Sequence, residues 1–225
     1  MIHDAVQNVF AQAFKNAGCH VVNKPNVEDI DGKLLIPDHL VLGNGTESGQ
    51  GLMVDYRHTD SGQTNPLDFS EHMLKSDTEK IGKYNAAVSR SGHRFMPIIL
   101  DKFGNVLQKT RDMLFQMFIR KVSNDRHDIT ETEADFIATK KTNFWLKRAS
   151  AAMAKTKAMC IINRSTKLIA IQHEKKHGKG SKNSSTYFDN RIEIEQESDI
   201  LIAVLIADYN CVQLSRLHDK CYMKG

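Results

Sequence analysis

The sequence predicts an α/β domain with a mixed sheet, followed by helices and a small β/α tail. Three observations predict it. Apolar residues recur at 3.6-residue spacing in 2–17 and in several stretches beyond residue 77. Short apolar, β-rich runs at 20–22, 34–42, 51–59 and 95–100 lie between and after the first helical stretches. Gly18, Gly43, Gly92 and Gly104 fall at the joints. The resulting order is helix, short strand, two strands, helix, strand, helix and further helices, which is an α/β pattern.

Each element follows from its residues. Ile2, Ala5, Val6, Val9, Phe10, Ala13, Phe14 and Ala17 form one helical stripe, and Gly18 closes it. His20, Val21 and Val22 form a short strand, and 25–32 is a loop. Residues 34–42 (LLIPDHLVL) read as a strand with turn residues after it. Residues 51–59 (GLMVDYRHT) read as its hairpin partner, and 60–68 as a polar loop. A helix is expected over 77–89, and a short buried strand over 95–100. A further helix is expected over 107–122 and a linker over 123–129, with helices over 130–138 and 142–160, joined or separate. Residues 175–186 (KKHGKGSKNSST) read as a mobile Lys/Gly/Ser loop, and 191–196 with 199–207 as a closing hairpin or a strand and helix. The domain plan is a core over 1–122 and a basic helical extension with a C-terminal tail over 123–225.

Composition narrows the function classes. The chain has 225 residues, 40% of them hydrophobic, enough to bury a core and to exclude wholesale disorder. No apolar window is long enough to span a bilayer, and the N-terminal MIHDAVQNVF lacks a secretory hydrophobic region, so an intracellular protein is expected, with the nucleus open to it if its host is eukaryotic. Cys19, Cys160, Cys211 and Cys221 are scattered, which argues against a disulfide framework. Cys211, His218 and Cys221 are too loosely spaced, with no second pair, to read as a zinc site. No Walker lysine loop, GxGxxG, GxSxG or HExxH is present.

The net charge of +4 hides an uneven distribution. Residues 139–182 hold twelve basic residues against Glu174 alone, giving +11, so the remainder carries −7. A basic segment on an otherwise acidic chain suits a polyanion, although a solvated helix face is the plainer account. Lys140, Lys141, Lys147, Arg148, Lys155, Lys157, Lys175 and Lys176 are the residues expected to hold a phosphate backbone. Phe144 and Trp145 are read as core rather than as base-stacking platforms.

Two acids interrupt apolar strands: Asp38 in Ile36-Pro37-Asp38 and Asp55 in Val54-Asp55-Tyr56-Arg57. Charge beside buried strand positions is costly unless paired or metal-bound. Alternation puts Asp55, Arg57 and Thr59 on one face, and Val54, Tyr56 and His58 on the other. If the strands are neighbours, the two carboxylates meet at one end, where a divalent cation would offset their repulsion. Mg²⁺ or Mn²⁺ held there would polarise a phosphodiester, and Arg57 could clamp a phosphate oxygen. The simpler alternative is an Asp–Arg salt bridge with Asp38 capping a loop.

This arrangement resembles a known family. A helix, Pro37-Asp38, sixteen intervening residues, Asp55-Tyr56-Arg57, then a helix and a strand is similar to the PD-(D/E)XK nuclease superfamily, whose restriction-endonuclease-like core runs α-β-β-β-α-β. The resemblance implies metal-dependent phosphodiester hydrolysis of nucleic acid, foremost DNA, with Asp38 and Asp55 as metal ligands and Arg57 in the lysine position. Some members carry that lysine on the next helix, which points to Lys80 and Lys83. Residues 79–104 (EKIGKYNAAVSRSGHRFMPIILDKFG) narrow the resemblance to nuclease-like C-terminal regions of reverse-transcriptase-bearing retroelement proteins. That implies a mobile element or virus, and many such nucleases pair as homodimers. His3, Phe144 and Trp145 fit the same register. An Arg in the lysine position also suits a catalytically degenerate nucleic-acid-binding module, and a structural or interaction protein is the third class.

Three further pairs are weighed with these. His3 and Asp4 could approach the metal site, although a helix-surface pair is the plainer account. Glu79 and Lys83 are spaced for a surface ion pair, which accounts for them as well as a catalytic role does. His58 and Asp60 flank the second strand and could bind metal, although simply ending the strand is the plainer account.

Overall fold

The structure is a computed structural model that describes residues 2–43, 50–59 and 66–177, with side chains for 2–43, 50–59, 70–168 and 171. Helix α1 (Ile2–Asn16) buries Val6, Phe10, Ala13 and Phe14, the stripe that its spacing predicts. Gly18 follows at φ 81°, a left-handed position where glycine carries no Cβ penalty, and turns the chain into β1 (Cys19–Asn23). The expected strand 34–42 is broken. Pro37 has no N–H to give a ladder and Asp38 bends, so β3 (Leu34–Leu35) ends early and β4 (His39–Gly43) begins after them. The short β3 pairs with β2 (Val27–Glu28) in a separate two-stranded sheet. Its connecting turn is held by Asp29, whose Oδ1 accepts from the backbone N–H of Asp31 and Lys33.

The main sheet has the order β1-β4-β5-β6, with β5 at Leu52–His58 and β6 at Arg94–Leu100. β1/β4 and β4/β5 are antiparallel, and β5/β6 is parallel, so the sheet is mixed. The parallel pair needs a crossover, which α2 (Pro66–Arg90) supplies. This helix begins eleven residues before the expected start at 77, with a proline in its first helical position, where a missing N–H costs nothing. Pro97 is accommodated because β6 is an edge strand of this sheet.

The sheet alternation separates two apolar clusters. On one face Val41, Val54, Tyr56, Ile98 and Leu100 pack with Phe10 and Phe14. The same cluster takes Leu114, Met117 and Phe118 from α3 (Gln108–Asp125) and Trp145, Leu146 and Met153 from α4 (Glu131–His177). A second cluster holds Met53 from β5 with Tyr84, Ala87 and Val88 from α2.

The expected helices 130–138 and 142–160 are one helix, and it continues through 175–177, which were expected to open a loop. Thr142, 2% exposed, falls on its buried side, so no break interrupts the stripe. Thr130 and Glu133 start it reciprocally: the Glu133 carboxylate accepts from the Thr130 N–H, and the Thr130 hydroxyl accepts from the Glu133 N–H. The chain divides into units 1–153 and 154–225. The first unit passes the expected boundary at 122 because α3 and the first turns of α4 complete the core. The expected β/α tail at 191–207 and the rest of the loop from 178 to 186 lie outside the described residues.

Candidate active site

The site forms beside the first residue of β4, where β5 runs on past it. His39 pairs with Val54, and continuing that register by one residue sets Asp38 opposite Asp55. The backbone pins Asp38 on both sides: its N–H donates to Val54 O at 3.0 Å, and its carbonyl accepts from the Lys24 N–H at 2.8 Å. Past this point the Tyr56 N–H has no β4 residue to meet. Asp38 Oδ2 accepts it instead, at 2.8 Å, and so satisfies a ladder donor with a side chain. His3, near the start of α1, brings Nε2 to 3.2 Å from the same oxygen.

Asp55 belongs to the opposite face from Tyr56 and points toward α2. It is 4% exposed, and Lys80 Nζ donates to its Oδ2. Tyr84, one turn on, stacks on Phe95 with ring centroids 5.0 Å apart and fixes the helix over the sheet. Lys80 therefore turns inward. Lys83 turns to Tyr84, donating to its hydroxyl at 3.0 Å with Nζ 4.5 Å from the ring centroid.

Burial pushes the Asp55 carboxyl above the ordinary carboxylate range, and the Asp38 charge adds to this, while Lys80 and Lys83 oppose it. Tyr56 is raised well above an ordinary phenol, first by burial and then by the two aspartates. Its hydroxyl lies 3.0 Å from His39 Nδ1. Burial lowers the His39 imidazole, which Asp38 partly counteracts. Lys83 is held above an ordinary lysine by its bond to Tyr84, so it stays a cation and cannot take a proton from water.

The structure thus brings together Asp38, Asp55 and Lys80 of the predicted site residues. Arg57 shares the Asp55 face of β5 and forms a 2.6 Å pair with Glu79 on α2, with both side chains more than a third exposed. Glu79 therefore answers Arg57, in place of the expected surface pair with Lys83. His3 keeps the expected neighbour Asp4 at 3.9 Å and is closer to Asp38. The sequence reading passed over His39 and Tyr56; their polar groups within an apolar strand pair were the available signal. Asp60 and the trio Cys211, His218 and Cys221 lie outside the described residues.

Two carboxylates on neighbouring strands, close enough for the Asp38 charge to raise Asp55, are a donor set that suits Mg²⁺ or Mn²⁺, which accept one or two protein carboxylates and complete their shell with water and phosphate oxygens. Among the described residues no group of three or more His, Cys, Asp or Glu side chains gathers as a metal site. A cavity of about 180 Å³ lined by Arg111, Phe115, Thr139, Thr142 and their neighbours lies elsewhere, between α3 and α4.

Of the expected backbone-binding residues, Lys140, Lys147, Arg148 and Lys155 are exposed, and Lys141 and Lys157 are half-buried. Lys175 and Lys176 lie in α4, with side chains outside the described set. Trp145 is core, as expected, but Phe144 is 45% exposed and meets Trp145 edge-on. No protein-family model matches the chain, and no curated protein matches it. Among the described residues no helix is long and apolar enough to cross a membrane.

Proposed function

We propose that this protein is a metal-dependent nuclease on a restriction-endonuclease-like α-β-β-β-α-β core. The observation that carries the reading is the placement of Asp38, just before β4, opposite Asp55 in the middle of β5, with Lys80 of α2 donating to Asp55. The order α1, β1, β4, β5, α2, β6 supports it, with β2 and β3 as a side sheet.

In this reading Asp38 and Asp55 hold Mg²⁺ or Mn²⁺. The bound ion supplies Lewis acidity toward a phosphodiester. Asp38 is preset for the task by the Tyr56 N–H and His3, which fix its carboxylate before any ligand arrives. Lys80 keeps a positive charge beside Asp55, where negative charge builds as a phosphate is attacked. Arg57, released from Glu79 by a phosphate, provides a second cation with a bidentate fork.

The test uses plasmid and single-stranded DNA in Mg²⁺ or Mn²⁺, with Asp55→Asn and an EDTA control. Cleavage by the parent alone, abolished in both controls, supports the nuclease. One observation favours a second reading, a nucleic-acid-binding module without cleavage: the lysine position holds Arg57, and that side chain is engaged by Glu79. Binding that weakens steeply with salt and never leads to cleavage decides for it.

A further inference from the structure

On α4, positions 136, 140, 144 and 148 are Phe, Lys, Phe and Arg. Steps of four keep them along one ridge of the helix. All four are exposed, Phe136 at 58% and Phe144 at 45%. Lys140 Nζ sits 4.1 Å from the Phe136 ring centroid, and the Arg148 guanidinium 5.5 Å from that of Phe144. No acidic residue occurs from 136 to 148, and Lys147 adds another exposed cation.

Exposed phenylalanines cost solvation, and nothing in the sheet requires them there. Alternation of aromatic face and cation matches a ligand that alternates flat bases with phosphates. We infer that this ridge binds a single-stranded nucleic acid, with bases stacked on Phe136 and Phe144 and phosphates met by Lys140 and Arg148. The inference rests on the nucleic-acid reading above and deepens it by naming the form of the strand. In a duplex the base faces are stacked on one another and closed to side chains, so a phenylalanine ring gains only from an unpaired strand. Phe136 and Phe144 are about 12 Å apart along the axis at helical rise, so one strand laid along the ridge reaches both.

The test uses the full chain in EDTA, so that cleavage plays no part. Fluorescence anisotropy follows labelled oligonucleotides of about twenty nucleotides, as single-stranded DNA, single-stranded RNA and duplex DNA. The variants are Phe136→Ala/Phe144→Ala and Phe136→Leu/Phe144→Leu. Leucine keeps apolar surface and removes the ring, and both sites are exposed enough to leave the fold intact, which circular dichroism confirms. Both variants are expected to bind single strands at least about tenfold more weakly, with duplex binding within about twofold of the parent. The DNA and RNA arms show which strand is preferred. Trp145, the sole tryptophan, lies 5.3 Å from Phe144 and 5.2 Å from Arg148, so single strands should alter its emission in the parent and less in the variants.

Single-strand binding equal to the parent in both variants overturns the ridge. So does a parent that binds no oligonucleotide. In either case the plasmid assay in Mg²⁺ judges the nuclease reading separately: cleavage there leaves that reading standing without the ridge.

Discussion

Lys80 on α2 donates to the Asp55 carboxylate on β5, across 25 residues of sequence, and so neutralises an acid that the sheet has buried. The pair has two consequences. It places a cation at the candidate site, and it makes the site a stability element of the fold. Desolvation of Asp55 still outweighs the help from Lys80, so the carboxyl lies above its ordinary value.

Lys80→Met leaves the Asp55 charge buried without its partner. The expected loss is about 3 kcal/mol at neutral pH, read from urea denaturation. Because the folded-state carboxyl is already raised above 3.8, the loss shrinks as pH falls through the folded value and vanishes below 3.8, where both states are protonated. The double variant Asp55→Leu/Lys80→Met should regain most of the stability, since a buried ion pair can be replaced by apolar side chains of similar size. A single variant as stable as the parent at pH 7 refutes the coupling.

Asp38 has a structural task and a proposed chemical one, and substitutions separate them. Asp38→Asn retains a side-chain oxygen to accept the Tyr56 N–H. It should stay within about 0.5 kcal/mol of the parent yet lose at least about a hundredfold in cleavage rate. Asp38→Ala orphans that N–H and should lose about 1–2 kcal/mol as well. Thermal melts and plasmid cleavage, run on both variants, check the split; an active Asp38→Asn removes Asp38 from the site.

Cys19 is buried, and burial alone pushes its thiol up to about 11. At pH 8 roughly one thiol in a thousand is then ionised. Iodoacetamide should leave Cys19 unmodified in the folded protein and alkylate it readily in urea, as read by peptide mass mapping. Equal rates in both conditions contradict the packing of β1.

Gly104 joins β6 to the helices. Its φ of 86° and the approach of Ser150 leave no room for a side chain: an added Cβ would lie 2.6 Å from Ser150 Cα. Ser150 Oγ also donates to the Gly104 carbonyl. Gly104→Ala should destabilise by about 2 kcal/mol or more, and Ser150→Ala by about 1 kcal/mol. Chemical denaturation of the two variants ranks them; an alanine at 104 that is neutral disproves the close approach.

By itself the sequence determined the elements and the charge. The 3.6-residue stripe of Val6, Phe10, Ala13 and Phe14 specified α1, and the apolar runs around Val54 and Ile98 specified β5 and β6, because these patterns are local. The two strand acids were legible for the same reason, as charges where the pattern demanded apolar residues. The bend at Pro37 and Asp38, and the early start of α2 at Pro66, are each marked in the sequence by a proline. What only the tertiary structure decided was which partners meet. Lys80 and Lys83 lie on the same helix, and the packing of Tyr84 on Phe95 turns the first onto Asp55 and the second away. Arg57 and Glu79, and His3 and Asp38, are likewise joined across 22 and 35 residues. Such pairings depend on how helices are rotated over the sheet. That rotation is set by the summed packing of both apolar clusters, which no local pattern encodes.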